Sequence, residues 1–157
     1  MEEVTEYIKT EKTALRLIAR AEQNCAGLSR KLEKRGFNTG IINEVISKLT
    51  EMNLLNDSRY ARFWLGSRIR LAKSPRRLLS SLCAKGIDHD IAQAALNQTL
   101  DAQTENALLE KLAKKSLKKL MRKRASENDD IKRALKSLLR NEGFSSQAIQ
   151  IYLESIY

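Results

Sequence analysis

The sequence has little of what interrupts helices and little of what builds strands. One proline and six glycines stand among 157 residues, and aromatic side chains make up 5% of the chain. Few positions can therefore break a helix and few favour a pleated surface, which argues against a β-rich fold and predicts an all-α protein. Cysteine is scarce too: Cys25 and Cys83 form no CxxC pair, and the single histidine, His89, lies near only one of them. No zinc constellation can be assembled from that set, and both thiols are expected to be free in a reducing cytosol. No apolar run approaches the roughly 20 residues that span a bilayer, and the opening MEEVTEYIKTEK has no apolar h-region. A soluble, cytoplasmic protein with no membrane partner is expected.

Catalytic signatures are also missing. There is no GxxxxGK(S/T), no HExxH and no nucleophile elbow, and GFNTG at Gly36 to Gly40 lacks the lysine of a phosphate loop. His89, between Asp88 and Asp90 just after a helix break, reads as a surface residue rather than a general base. Neither an enzymatic activity nor a cofactor is expected.

What the chain does have is positive charge: 29 Lys and Arg against 19 Asp and Glu, a formal +10. Such a balance attracts polyanions, whether nucleic acid, an acidic protein surface or an anionic membrane, without choosing among them.

It also has a repeat. LSRKLEKRGFNTGIINEVI, LLSSLCAKGIDHDIAQAAL and LKSLLRNEGFSSQAIQIYL align on Gly36, Gly86 and Gly143. Eight and four residues before each glycine stand Leu28 and Leu32, Leu78 and Leu82, and Leu135 and Leu139, on one helical face. Each glycine fits the C′ position of a helix, where a left-handed backbone is needed. The large residue after it, Phe37, Ile87 or Phe144, is placed to touch Leu32, Leu82 or Leu139 in a Schellman ending. Asn38, Asp88 and Ser145 then provide N-caps for a following helix. That helix carries Ile41, Ile42, Val45, Ile46 and Leu49 in the first copy, and Ala148, Ile149, Tyr152, Leu153 and Ile156 in the third. The second copy is weaker, with Ile91, Ala92, Ala95, Leu96 and then Thr99.

A further helical segment precedes each pair: TALRLIARAE, then DSRYARFWLGSRIRLA after a cap at Asn56 or Asp57, then ENALLEKLAKKSLKKLMRKRA. The pattern predicts three tandem three-helix repeats, at residues 1–52, 53–102 and 103–157, forming an elongated, curved body. Ser74 and Pro75 start the middle helix of the second copy as N-cap and N1, and SENDD offers caps in the third.

Two basic regions are candidate binding sites. KLAKKSLKKLMRKR, Lys111 to Arg124, holds eight basic residues and no acid. At about 100° per residue its Leu109, Leu112, Ala113, Leu117 and Leu120 fall on one side, and Lys111, Lys114, Lys115, Lys118 and Arg122 fall opposite. Lys119 and Lys123 extend the charged set. The second region, Arg68, Arg70, Lys73, Arg76 and Arg77, brackets the turn before Ser74, where guanidinium groups beside a helix N-terminus suit phosphates or carboxylates. Tyr60, Phe63 and Trp64 look like a base-stacking platform but stand at helical spacing among apolar neighbours, so they are read as core.

LLNDSRYARFW, Leu54 to Trp64, carries a family resemblance. The chain resembles the RecX family of recombinase regulators, whose second three-helix repeat opens on LxDxR(F/Y)A. Leu55, Asp57, Arg59, Tyr60 and Ala61 match that segment, and an arginine-rich turn, LCAKGI at Leu82 to Ile87 and GFSSQAI at Gly143 to Ile149 follow in order. The resemblance runs from about Ala14 to Ile156. Family members often have a Gly before the middle helix of the second repeat, where this chain has Lys73 and Ser74, and commonly a longer N-terminal extension. The resemblance implies a regulator of recombination, DNA repair and the SOS response, and a monomer is expected. Such a protein binds the RecA filament on DNA, lies in its groove and restrains recombinase, ATPase and co-protease activity. It supplies no invariant functional residues, so the candidate filament- or DNA-binding residues stay those chosen by charge. The alternative is a stand-alone module binding single- or double-stranded nucleic acid non-specifically.

Overall fold

Gly36, Gly86 and Gly143 have backbone φ of 84°, 89° and 86°, the left-handed values that a Cβ penalises. Around each, two hydrogen bonds close the helix end. The glycine N–H donates to the carbonyl three residues back, on Glu33, Cys83 or Arg140, at 2.9, 2.9 and 3.0 Å. The next N–H, on Phe37, Ile87 or Phe144, donates to Leu32, Leu82 or Leu139 at 3.4, 3.2 and 3.3 Å. These are the two bonds of a Schellman ending, so the expected joint occurs three times.

These joints organise a computed structural model that describes residues 1–123 and 128–157. The elements, in chain order, are α1 (Glu2–Arg20), α2 (Cys25–Glu33), α3 (Thr39–Glu51) and α4 (Asp57–Arg68). After a 3-10 turn (Ile69–Leu71) come α5 (Pro75–Ala84), α6 (His89–Thr99), α7 (Ala102–Lys123), α8 (Asn128–Asn141) and α9 (Ser146–Ile156). Among the described residues there is no strand. The chain is an all-α array of three-helix repeats, as its sequence pattern predicts. Arg124 of the basic run, and Ser126 and Glu127 of the SENDD caps, lie outside the described residues.

Contacts gather the chain into two compact units, and the middle repeat contributes segments to both. The first comprises Met1–Trp64 and Leu82–Ala92. Its core joins Ala14 of α1, Leu28 and Leu32 of α2, Ile42, Val45 and Leu49 of α3, and Leu55. Full burial of each Leu, Ile or Val among them contributes about 1.5–3 kcal/mol. Asn38 caps α3 through its side-chain oxygen, and its own N–H donates to Glu6 Oε1 of α1 at 2.9 Å. In the same unit the start of α2 meets the end of α5. Asn24 caps α2 by accepting from Gly27 N–H at 3.0 Å, and its Nδ2 donates to the Lys85 carbonyl at 2.8 Å.

The LxDxR segment knits the turn between α3 and α4. Leu55 is buried in the core and Ala61 is fully buried. Asn56, not Asp57, is the N-cap: its Oδ1 accepts from Arg59 N–H at 2.9 Å. Asp57 Oδ1 instead accepts from Cys25 N–H at 2.9 Å, placing a carboxylate at the N-terminus of α2. The Arg59 side chain donates to Glu22 Oε1 and to the carbonyls of Asn53 and Leu54, at 2.8, 3.0 and 3.1 Å. Asn53 is itself left-handed, φ 56°, and carries a fourth joint of the same form: its N–H donates to Thr50 and that of Leu54 to Leu49.

The second unit comprises Leu65–Ser81 and Gln93–Tyr157. Its core joins Leu108, Leu109 and Ala113 of α7, Leu135 and Leu139 of α8, Phe144, and Ala148, Ile149 and Leu153 of α9. The α7 seam also takes in Leu108 and Ser116, while Leu112, Leu117 and Leu120 are only partly buried at its edge. Ser145 caps α9, and its backbone N–H and hydroxyl both bond Glu105 of α7, at 2.7 and 3.1 Å. Glu105 thus does in the third repeat what Glu6 does in the first.

Three expectations need correction. The helix read through Ala72 stops at Arg68; the 3-10 turn follows, and Ala72 is extended. Tightening into 3-10 geometry is a common way for an α-helix to end. Phe63 is not core but 67% exposed, with Tyr60 and Trp64 half-buried. The buried stripe of α4 is Ala61 and Leu65, and Phe63, two residues from each, falls about 160–200° away on the opposite face. Ile156, expected on the inner face of the last helix, is 40% exposed in its final turn.

Candidate nucleic-acid interface

The basic face of α7 follows from its amphipathic sequence. Because Leu108, Leu109, Ala113 and Ser116 are drawn inward, Lys111, Lys114, Lys115, Lys118, Lys119, Arg122 and Lys123 are all exposed. Lys114 Nζ pairs with Glu110 Oε1 one turn back at 2.6 Å, and that hydrogen bond raises its pKa. Among the described residues, the other six make no ion pair with a carboxylate.

The arginine-rich turn lies in the same unit, its 3-10 segment packed against α7. Arg68, Arg70, Lys73, Arg76 and Arg77 are all exposed. They are not equivalent. Asp101, at the start of α7, accepts from Thr104 N–H at 2.7 Å, and that bond, with a smaller contribution from Arg70, lowers its pKa. Arg76 is committed to the fold: its N–H donates to the Glu142 carbonyl at 3.0 Å and its guanidinium stands 3.6 Å from Glu142 Oε1. The N-terminus of α5, read as a place to hold an anion, holds one from the chain itself. Ser74 Oγ donates to Glu142 Oε2 at 2.6 Å and accepts from Arg77 N–H at 3.3 Å. Lys73 and the Arg77 side chain have no carboxylate partner among the described residues.

Among the described residues no group of three or more His, Cys, Asp or Glu is placed to hold a metal ion. Cys25 is a free, half-buried thiol whose pKa is raised by burial and, secondarily, by Asp57, which makes it a poor nucleophile. His89 is exposed, 3.6 Å from Asp90. No helix among the described residues is long and apolar enough to cross a membrane.

Residues 56–96, from the cap of α4 to Leu96 of α6, match the family model described as RecX, second three-helix domain. A relative from Mycobacterium ulcerans (strain Agy99), named regulatory protein RecX, is 35% identical over 133 residues, 83% of this chain and 75% of its own. The chain belongs to the RecX family of regulatory proteins. A RecX relative from Treponema pallidum (strain Nichols) is 34% identical over 128 residues, covering 81% of this chain and 75% of its own. A crystal structure of RecX from Lactobacillus salivarius shares the fold, with a TM-score of 0.70 and 24% identity over 97% of both chains.

Against that RecX background the LxDxR residues acquire a physical meaning. Asp57 and Arg59, the two charged residues that carry the resemblance, spend their hydrogen bonds on Cys25, Glu22, Asn53 and Leu54. They secure a helix start and a helix end, and the exposed cations lie elsewhere. The outward placement of Phe63 is signalled in the sequence by its phase relative to Ala61 and Leu65. Lys132, Lys136 and Arg140, outside both basic regions, line a groove beside α9. Their spacing of four residues was the available signal.

Proposed function

We propose that this RecX-family protein binds the RecA filament assembled on DNA and restrains RecA's recombinase, ATPase and co-protease activities in recombination and DNA repair. The observation that carries this reading is family membership over about four-fifths of the chain. The charge distribution supports it: a RecA filament on DNA is a nucleoprotein polyanion, and the exposed Lys face of α7 offers complementary charge that steers association. In this reading α7 contributes Lys111, Lys115, Lys118, Lys119, Arg122 and Lys123, and the turn contributes Arg68, Arg70, Lys73 and Arg77. Arg76 mainly holds α5 to the end of α8. The protein acts without a cofactor, in the cytoplasm where RecA works.

The test is steady-state ATP hydrolysis by RecA on single-stranded DNA with increasing amounts of the purified protein. Hydrolysis and strand exchange should both fall; unchanged rates at saturating protein would reject the reading.

A second reading, a stand-alone nucleic-acid-binding module, is favoured by the same exposed basic face of α7. It requires tight binding to DNA free of RecA, with affinity falling steeply as salt rises. Filter binding across a salt series, repeated with Lys114, Lys115, Lys118 and Lys119 reversed to Glu, separates the two readings: the second requires those lysines for tight binding to free DNA, and the first does not.

A further inference from the structure

Within the second unit, α8 and α9 flank a groove of about 450 Å³ that includes neither the α7 face nor the arginine-rich turn. One wall is a cation row on α8, Lys132, Lys136 and Arg140, recurring every four residues and hence about 6 Å apart along the axis. The floor is apolar, with Ile149 and Leu153 almost fully buried. Glu154, on the opposite wall, accepts from Gln150 Nε2 at 2.9 Å. Among the described residues no carboxylate forms an ion pair with any of the three cations. Like charges at this spacing repel along a helix, so an unneutralised row has a cost that a bound polyanion removes. Lys132 Nζ sits 4.8 Å from the centre of the Tyr157 ring, and Tyr157 is 54% exposed. An aromatic residue more than half exposed thus stands beside the first cation of the row.

We propose that this groove is a binding site for single-stranded nucleic acid. Lys132, Lys136 and Arg140 follow successive phosphates, and Tyr157 offers a face on which an unpaired base stacks. The arrangement combines the two elements by which proteins hold single strands without reading sequence: a cationic track for the backbone and an aromatic platform for a base. A duplex keeps its bases stacked inward and would leave the ring unused. An acidic polypeptide could pair with the row, but its carboxylates have no base to place on Tyr157. This inference is independent of the RecA reading, because it concerns binding to naked strands by residues outside α7 and the arginine-rich turn.

The experiment is fluorescence anisotropy of a labelled oligothymidylate titrated with the full chain at several salt concentrations between about 50 and 200 mM. Each phosphate neutralised on a single strand contributes about −0.7 to the slope of log K against log[salt], so the Lys132→Gln/Lys136→Gln/Arg140→Gln variant should flatten that slope by about 2. Tyr157→Ala should weaken binding several-fold with the slope unchanged, the signature of a lost stacking contact. Far-ultraviolet circular dichroism and the thermal midpoint, expected to stay near those of the starting protein, verify that the triple variant folds. A triple variant that fails to fold is replaced by Lys136→Gln alone, for which a slope change of about 0.7 is expected. An unchanged slope in the folded variant overturns the proposal. So does displacement of the oligonucleotide by polyglutamate at equal charge concentration, which would make the groove a site for acidic protein segments. No RecA is present, so failure here leaves the filament reading standing, and loss of ATPase inhibition leaves this one standing.

Discussion

Ser74 Oγ donates to Glu142 Oε2 at 2.6 Å, joining residues 68 positions apart in the chain. Ser74 is fully buried, and the same hydroxyl accepts from Arg77 N–H, so one serine both caps α5 and anchors the carboxylate that faces the start of that helix. The first unit has a counterpart at the start of α2, where Asn24 supplies the cap and Asp57 the carboxylate. In both units the start of one middle helix rests on the glycine joint that ends the next middle helix.

Removing either partner of the Ser74–Glu142 contact should expose the coupling. Ser74→Ala is expected to cost about 1–2 kcal/mol, since it deletes a cap and leaves Glu142 without its buried donor. In a double-mutant cycle with Glu142→Ala the two losses should be clearly sub-additive in urea unfolding. Additive losses would show that the contact contributes nothing.

The three glycines should rank by what a methyl group would meet. At Gly36 nothing lies within 4 Å, so Ala costs only the left-handed strain, about 1–2 kcal/mol. At Gly143 the added Cβ would stand 3.2 Å from Arg76 N and 3.5 Å from Pro75 Cβ, and at Gly86 only 2.4 Å from Ala26 Cβ. Thermal unfolding should therefore place Gly86→Ala as the most damaging and Gly36→Ala as the least. A neutral or stabilising Gly36→Ala would contradict the helix-end geometry.

The joints were legible in the sequence because each is local: a leucine, a glycine and a large apolar residue at fixed offsets require no knowledge of the rest of the fold. The helix caps at Asn38, Asp88 and Ser145 were legible for the same reason. The joint at Asn53 was not, because asparagine adopts the left-handed state less often than glycine and gives a weaker signal. Nor was the involvement of Arg76 in the fold, since its partner Glu142 lies far along the chain and charge alone cannot distinguish an engaged arginine from a free one. Phase decided the remaining cases: it placed the lysines of α7 outward, and the same arithmetic applied to α4 would have placed Phe63 outward too.

Arg59 should resist conservative replacement. Its guanidinium reaches a carboxylate and two helix-end carbonyls at once, and the single ammonium of lysine cannot reproduce that fork. Arg59→Lys is expected to lose about 1–2 kcal/mol in urea unfolding, most of the loss of Arg59→Ala. A lysine variant as stable as the original would show that the clamp is not stabilising.

Asp101 links the start of α7 to pH. Its pKa is lowered first by the Thr104 N–H bond, so its charged form is favoured in the folded state. The stability it confers is therefore complete above the ordinary aspartate value of about 3.9 and is lost as pH falls through its lower folded value. Asp101→Asn keeps a capping oxygen but cannot titrate. Thermal midpoints should favour aspartate near neutrality and converge with the asparagine variant in strong acid; a gap that widens on acidification would contradict the assigned direction.

Co-sedimentation with RecA filaments on single-stranded DNA tests the central proposal most directly. The account predicts that the protein pellets with filaments and much less with the same DNA lacking RecA. A folded Lys115→Glu/Lys118→Glu/Lys119→Glu variant should stay largely in the supernatant. Equal pelleting with DNA alone, or none with filaments, would contradict it.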